Sequence, residues 1–263
     1  MAELEIPKIG FGTWKIKRQD CVDAVESALK VGYRHIDTAQ IYGNQKYVGQ
    51  AIKNSNLPRS EIFVTTKIWN HNLGEKLFER SLDRSLKKLQ TDYVDLLLIH
   101  YPVTKTRSAA WTRMEAAKKS GKARHIGVSN YTIKHLQELL DECEIKPYIN
   151  QVELHIFLQQ PKLLKFCADN GILVEAYSPL AHGHGMDNQV LNEVAKKHSK
   201  TTAQIMIRWC LDKGLIPLPK STNPVRIKQN FDVFDFSLDK EDMKKIESLE
   251  ENLRTCWDPS NTP

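Results

Sequence analysis

Along this chain, short apolar runs that end in polar clusters alternate with segments whose apolar residues recur every three or four positions. The runs are IGFGTW, HIDTA, FVTTKI, YVDLLLIH, ARHIGVSN, YINQVEL, ILVEAYS and LIPLPK; each has strand length and closes on turn-forming or polar residues. After the first, residues 20–31 set Val22, Val25, Ala28 and Leu29 on one helical face and stop at Gly32, a residue suited to a helix C-terminus. Phe78, Leu82, Leu86 and Leu89 make a second stripe, and Ile133, Leu136, Leu139 and Leu140 a third. Repeated strand-then-helix units predict parallel strands with right-handed crossovers, in either an open doubly wound sheet or a closed barrel. An open dinucleotide-binding sheet would carry GxGxxG after its first strand, whereas GFGTW lacks the third glycine and runs into Lys15, Ile16 and Lys17. Eight units in about 250 residues suit an α/β fold of the (β/α)8 TIM-barrel type, with its active site at the C-terminal face. No linker or low-complexity tract divides the chain, so one domain over residues 1–263 is expected.

Composition narrows the partners. Apolar residues are 41% and charged residues 27%, the balance of a folded globular protein. The start, MAELEIPK, has no signal-peptide core and no later run approaches about 18 apolar residues; a cytoplasmic protein without a membrane partner is expected. The formal charge of +6 comes with lysine pairs at 87–88, 118–119, 196–197 and 244–245. They are spread along helix-like segments and read as solvated faces rather than a nucleic-acid surface, while remaining compatible with a small polyanionic ligand. The cysteines at 21, 143, 167, 210 and 256 form no CxxC pair or metal-ligand spacing; they read as reduced packing thiols, and no metal is expected.

In a parallel barrel the strand ends converge, and here they carry polar groups. Asp37 follows the second run, Lys67 the third, His100 the fourth, Ser129 and Asn130 the fifth, Gln151 the sixth, Tyr177 the seventh, and Lys220 with Ser221 the eighth. Tyr42 stands five residues past Asp37, able to lean over the mouth. A phenol is a weak acid with an ordinary pKa near 10. A lysine beside it would lower that value, and an aspartate would hold the lysine charged. His100 would donate a hydrogen bond to a substrate carbonyl. Such a set protonates an oxygen while something else attacks the carbon. No Ser or Cys is paired to a base and no HExxH occurs, so hydride from a nicotinamide is the economical supplier. A seat for its phosphates is offered by LPKSTNPVRIKQN: Asn223 as N-cap, Pro224 at the first helical position, free N–H groups at the helix start, and the cations Lys220 and Arg226.

The chain resembles the aldo-keto reductase superfamily. GFGTW, GYRHIDTAQIYGNQ, TTKIWN, VDLLLIHYP, GVSNY, NQVE, AYSPL and PKSTNPVRIKQNF follow in family order over nearly the whole length. The resemblance implies a catalytic tetrad of Asp37, Tyr42, Lys67 and His100, with Tyr42 as general acid in the reduction of a small carbonyl substrate. It also implies that Ser129, Asn130 and Gln151 hold the nicotinamide carboxamide, that Tyr177 stacks on the ring, and that Ser178 and Leu180 join that seat. Lys220, Ser221, Thr222, Arg226, Gln229 and Asn230 match the adenosine and 2′-phosphate site; Thr13 and Trp14 lie beside the cofactor and the mouth. NADPH is the expected cofactor, with NADH possible, and a monomer is expected.

Departures from the family pattern touch the pocket. Tyr101 stands where many relatives have tryptophan, and Asn44-Gln45 replaces Asn-Glu. MAELEIPK leaves room for one strand of the hairpin that plugs the barrel bottom. The segments TKTRSAA, AHGHGMDN and the tail past Cys256-Trp257 are short. They imply an open mouth with Trp14, Trp69 and Tyr101 as an aromatic slot for substrate, although each of these could instead pack in the core. Lys105 and Arg107 could favour acidic keto-sugars or simply be solvated. Tyr42 and Lys46 form the YxxxK spacing of short-chain dehydrogenases, but without that fold's glycine-rich opening. The alternative to an enzyme is a nicotinamide-binding regulatory subunit on the same barrel.

Overall fold

The computed structural model describes residues 4–263. Eight parallel strands follow one another round a sheet in sequence order: β1 Phe11–Gly12, β2 His35–Asp37, β3 Phe63–Ile68, β4 Val94–Ile99, β5 Ala123–Ser129, β6 Ile149–Glu153, β7 Leu173–Tyr177 and β8 Ile216–Leu218. The helices α1 Arg18–Val31, α2 Gln45–Asn54, α3 Glu75–Leu89, α4 Arg107–Lys119, α5 Ile133–Glu142 and α6 Pro161–Asp169 each follow the strand of the same number. Between β7 and β8 stand α7 Gln189–His198 and α8 Thr202–Asp212, and after β8 come α9 Pro224–Phe231 and α10 Lys240–Glu247.

The seam between β8 and β1 is made in one direction only. The N–H groups of Gly10 and Gly12 donate to the carbonyls of Pro217 and Pro219, both at 3.0 Å, and neither proline has an N–H to return. That closes the barrel with a thin ladder. Close approach at the seam requires glycine: a Cβ on Gly10 would lie 2.5 Å from Leu218 and 2.6 Å from the His35 ring.

The period-2 alternation of the strands sorts side chains into two cores. Phe63, Leu96, Leu98, Ile149 and Ile216 fill the inside of the barrel, with Leu4, Ile6 and Tyr148 packed against them. Leu97, Ile99, Val128 and Ala176 face the helices and join their apolar stripes. Helix α1 buries Cys21, Val22, Ala24, Val25, Ala28 and Leu29 and ends at Gly32, whose φ of 125° suits glycine. Each fully buried aliphatic side chain here contributes roughly 1.5–3 kcal/mol. The third predicted stripe is shifted. Helix α5 buries His135, Leu136 and Leu139 while Ile133 is exposed, because the helix begins at Ile133, where Thr132 caps it through a bond from the His135 N–H.

The bottom plug also differs from expectation. Residues 4–10 form no strand; Leu4 and Ile6 pack against the inner core of the barrel instead. Residues 1–3 of the expected hairpin strand lie outside the described residues.

Candidate active site

The same alternation that puts Phe63 inside the barrel puts Thr65 and Lys67 there too, one and two steps nearer the mouth. Leu96, Leu98 and His100 rise likewise from β4, and His35 and Asp37 from β2. The polar strand ends therefore meet. Lys67 is fully buried and its Nζ donates to both carboxylate oxygens of Asp37 at 2.7 Å, to the Thr38 carbonyl at 3.2 Å and to the Tyr42 hydroxyl at 3.2 Å. Tyr42 ends a 3-10 turn, Gln40–Tyr42, that is closed by Gly43 at φ 70°. Its ring lies edge-on to His100 with centroids 5.8 Å apart.

Electrostatics here correct one expectation. Burial pushes the Tyr42 phenol up to about 12, and the nearby Lys67 charge pulls against that without winning. Burial by itself would lower the Lys67 ammonium, but Asp37 and Tyr42 hold it above its ordinary value. Burial first, and the Lys67 charge second, keep His100 well below the usual imidazole range. At neutral pH the set is thus a neutral phenol, a charged lysine and a neutral imidazole. The imidazole retains one N–H donor.

One cavity of about 830 Å³ runs from this cluster along the mouth. Asp37, Tyr42 and His100 line it, as do Gly12, Trp14, Ser129, Asn130, Gln151, Tyr177, Ser178 and Leu180. Its far part is walled by Lys220, Ser221, Thr222, Arg226, Gln229 and Asn230. Thr13 stands behind the lining: it is fully buried and its hydroxyl donates to the Asp37 carbonyl at 2.8 Å. Asn130 adopts φ 65° directly after β5, a conformation asparagine tolerates better than most residues. Its side chain donates to the His100 carbonyl at 3.0 Å and accepts from the Tyr177 hydroxyl at 2.7 Å, locking three strand ends together. Gln151 donates through Nε2 to Asp37 at 3.0 Å and to Glu175 at 2.7 Å.

At the far end, the expected free N–H groups of α9 are partly spent. Asn223 Oδ1 accepts from Val225 N at 2.9 Å and Arg226 N at 3.2 Å, so the helix caps itself. The anion-binding capacity rests instead on Lys220 and Arg226, both exposed, which bond no carboxylate among the described residues.

The mouth is less open than short loops implied. Most of TKTRSAA belongs to α4, and residues 251–263 fold back over the barrel top. Trp257 from this tail lines the cavity, packing on Trp69 at 5.6 Å, His100 at 6.1 Å and Tyr101 at 6.4 Å between centroids. Of the expected aromatic slot only Trp14 lines the cavity. Trp69 stands behind Trp257, and the Tyr101 hydroxyl donates to the Asp258 carbonyl at 3.1 Å and meets Thr262 Oγ1 at 3.0 Å, so Tyr101 anchors the tail. Arg107, read as a loop cation, bonds the Pro263 carbonyl and Glu138. Asn44 and Gln45 are structural: Asn44 ties the Thr13 and Ile16 carbonyls at 2.8 and 3.0 Å, and Gln45 bonds Thr66 at 2.8 Å.

Two further groups complete the mouth: Cys256, expected as a packing thiol, and Glu153, to which the sequence assigns no role. Cys256 lines the cavity with its Sγ 3.3 Å from His182 Nε2. Glu153, fully buried at the end of β6, accepts from Thr255 N at 2.7 Å, from the Thr255 hydroxyl, from Cys256 N at 3.1 Å and from His155. Burial would raise its pKa, but these bonds together hold it below the usual range. The tail's attachment therefore holds above the ordinary glutamate range and weakens as pH falls below it. Replacing this acceptor by an amide, Glu153→Gln, should increase opening of the tail about 10- to 100-fold, the worth of bonds to a charged group. The readout is faster tryptic cleavage after Arg254 with little change in the barrel's melting temperature; unchanged cleavage would show that the tail is held elsewhere.

A sequence profile described as "Aldo/keto reductase family" matches residues 8–251. Glyoxal reductase of Bacillus subtilis (strain 168) is 44% identical over 257 residues, covering 97% of this chain and 93% of that protein. The crystal structure of MGS-M4, an aldo-keto reductase from a Medee basin deep-sea metagenome library, superposes with a TM-score of 0.95 at 45% identity, covering 98% of this chain and 96% of that one. An aldo-keto reductase of Bombyx mori solved in complex with NADP superposes at 0.87 with 38% identity, covering 95% and 91%.

Proposed function

This chain belongs to the aldo/keto reductase family, and from that premise we propose that it reduces small aldehydes and ketones to alcohols with NADPH, Tyr42 giving the proton. Family membership makes it an NAD(P)H-dependent oxidoreductase. The observation that carries the reading is the contact of the Tyr42 hydroxyl with a buried, Asp37-held lysine at the wall of one continuous cavity.

The residues present fit a nicotinamide dinucleotide. Gln151 has an Oε1 that no side chain among the described residues engages, Tyr177 offers an aromatic wall, and Lys220 with Arg226 leave two cations unpaired at the far end. A bound reduced nicotinamide supplies the hydride. Everything else falls to the chain. His100, kept neutral, donates a hydrogen bond that orients the substrate oxygen beside the Tyr42 hydroxyl. Tyr42 passes its proton to that oxygen as negative charge develops on it, and Lys67 stabilises the phenolate left behind. Asp37 keeps the lysine charged. Trp257 and Trp14 wall the same cavity as Tyr42 and His100, apolar surfaces that shield the reacting carbon from water and favour a small carbonyl such as glyoxal, methylglyoxal, glyceraldehyde or an aromatic aldehyde.

Cofactor choice follows from Lys220 and Arg226. Charge-assisted bonds to a 2′-phosphate contribute roughly 1.5–3 kcal/mol each, so Arg226→Ala should weaken NADPH about 10- to 100-fold while leaving NADH nearly unchanged. Fluorescence titration of both reduced nucleotides checks this, and equal wild-type dissociation constants would refute the preference. The reaction itself is tested by following NADPH absorbance across a panel of small aldehydes, keto-acids, keto-sugars and a steroid. Small aldehydes are expected to turn over fastest. Tight NADPH binding with no turnover on any of them would favour the regulatory-subunit reading instead.

A further inference from the structure

Glu175 sits in the middle of β7, fully buried, in an environment where an acid is costly. It is the register partner of Gln151 across the β6–β7 ladder, and its Oε2 accepts from Gln151 Nε2 at 2.7 Å. The same Nε2 donates to Asp37 Oδ2 at 3.0 Å. A primary amide has two N–H donors, so both are consumed by carboxyl oxygens. The opposite amide orientation would aim a carbonyl oxygen at the lysine-paired Asp37 carboxylate, which has no donor to offer it. Gln151 Oε1 is therefore turned away from the barrel axis residues and toward the cavity that Gln151 lines. Glu175 Oε1, without a hydrogen bond, faces His35 Nε2 at 3.5 Å, and that nitrogen bonds Thr65 Oγ1 at 2.9 Å. Burial holds Glu175 in its protonated form up to about 8 and His35 in its neutral form, so the pair adds no net charge beneath Asp37 at neutral pH.

We propose that Glu175 is a positioning residue for the cofactor: with Asp37 it clamps the Gln151 amide so that Oε1 is presented as a fixed acceptor to the carboxamide N–H of a bound nicotinamide. This rests on the nicotinamide site proposed above. It ties the seat of the ring to the carboxylate that holds Lys67, so ring placement and proton donor share one buried framework. Glu175 touches neither cofactor nor substrate.

The test compares two ligands that share the adenosine half. NADPH carries the carboxamide; 2′,5′-ADP does not. In Glu175→Leu, which leaves Gln151 only its Asp37 anchor, the NADPH dissociation constant should rise about 5- to 10-fold, the worth of one buried hydrogen bond, while that of 2′,5′-ADP stays within twofold. Glu175→Gln keeps an acceptor at the same place and should restore NADPH affinity to within about twofold of wild type. Where Glu175→Leu does not fold, Glu175→Thr, whose hydroxyl is too short to reach Gln151, takes its place. Equal weakening of both ligands would reduce Glu175 to a structural role and overturn the proposal, as would unchanged NADPH binding in the Leu or Thr variant or its loss in Glu175→Gln. Wild-type protein that binds 2′,5′-ADP and NADPH equally would instead remove the nicotinamide site itself, a failure seen before any variant is made.

Discussion

Tyr42→Phe is expected to lower the turnover of small aldehydes by about 10²–10⁴-fold, the usual worth of a positioned general acid, with NADPH affinity within twofold of wild type. The phenyl ring can keep its edge contact with His100 and its place in the cavity wall; only the hydroxyl that meets Lys67 Nζ is lost. That hydroxyl acts mainly in the transition state, so the loss should fall on kcat more than on binding. The pH dependence carries a sign. Reduction needs the phenol protonated, and burial pushes it up to about 12, so the wild-type rate of reduction should hold through neutral pH and decline only in strongly alkaline solution. Oxidation of the alcohol, which needs the phenolate as base, should rise with pH instead. Single-turnover oxidation of bound NADPH measures the step, and a variant retaining more than a tenth of the wild-type rate would sink Tyr42 as the acid.

Lys67→Met should be as inactive, and less stable as well. The ammonium is buried against Asp37, whose side chain is only 5% exposed, and removing one partner of a buried pair leaves an uncompensated charge, costing about 3–5 kcal/mol. The two effects separate in a double variant. Lys67→Met with Asp37→Asn should recover most of the lost stability in chemical denaturation while turnover stays at the floor, because the ammonium that stabilises the Tyr42 phenolate after proton transfer is still missing. Restored turnover in the double variant would show that Lys67 serves folding alone.

The tail illustrates where reading by segment falls short. Residues 251–263 look like a short, polar end with one tryptophan, and nothing local aims that ring anywhere. Its place is set by partners far along the chain: Glu153 for Thr255 and Cys256, Tyr101 for Asp258, and His135 for Thr262 at 2.9 Å. Short loops imply an open mouth, whereas the bonds across it make Trp257 a wall. The Tyr42 phenol is a similar case. A neighbouring lysine suggests a lowered pKa, but the balance depends on how much water the fold removes, which no spacing records.

Glu175 had a local trace, an acid inside the apolar run ILVEAYS. That trace becomes informative only once β6 and β7 are in register, since a shift by one residue would turn Glu175 away from Gln151 and out of the barrel.

By itself, the sequence determined the alternation of strand and helix, the eight parallel runs, and which residues stand at their ends: Asp37, Lys67, His100, Ser129, Asn130, Gln151, Tyr177 and Lys220. These follow from periods of 2 and 3.6 residues, which are properties of neighbours along the chain. Only the tertiary structure decided the one-way seam at Pro217 and Pro219, the tail over the mouth, the exchange of Trp69 and Tyr101 for Trp257 as cavity wall, the Glu175–Gln151–Asp37 clamp and the high pKa of Tyr42. Each of these depends on register between strands, on contacts a hundred or so residues apart, or on exclusion of water, and all three arise only when the barrel closes.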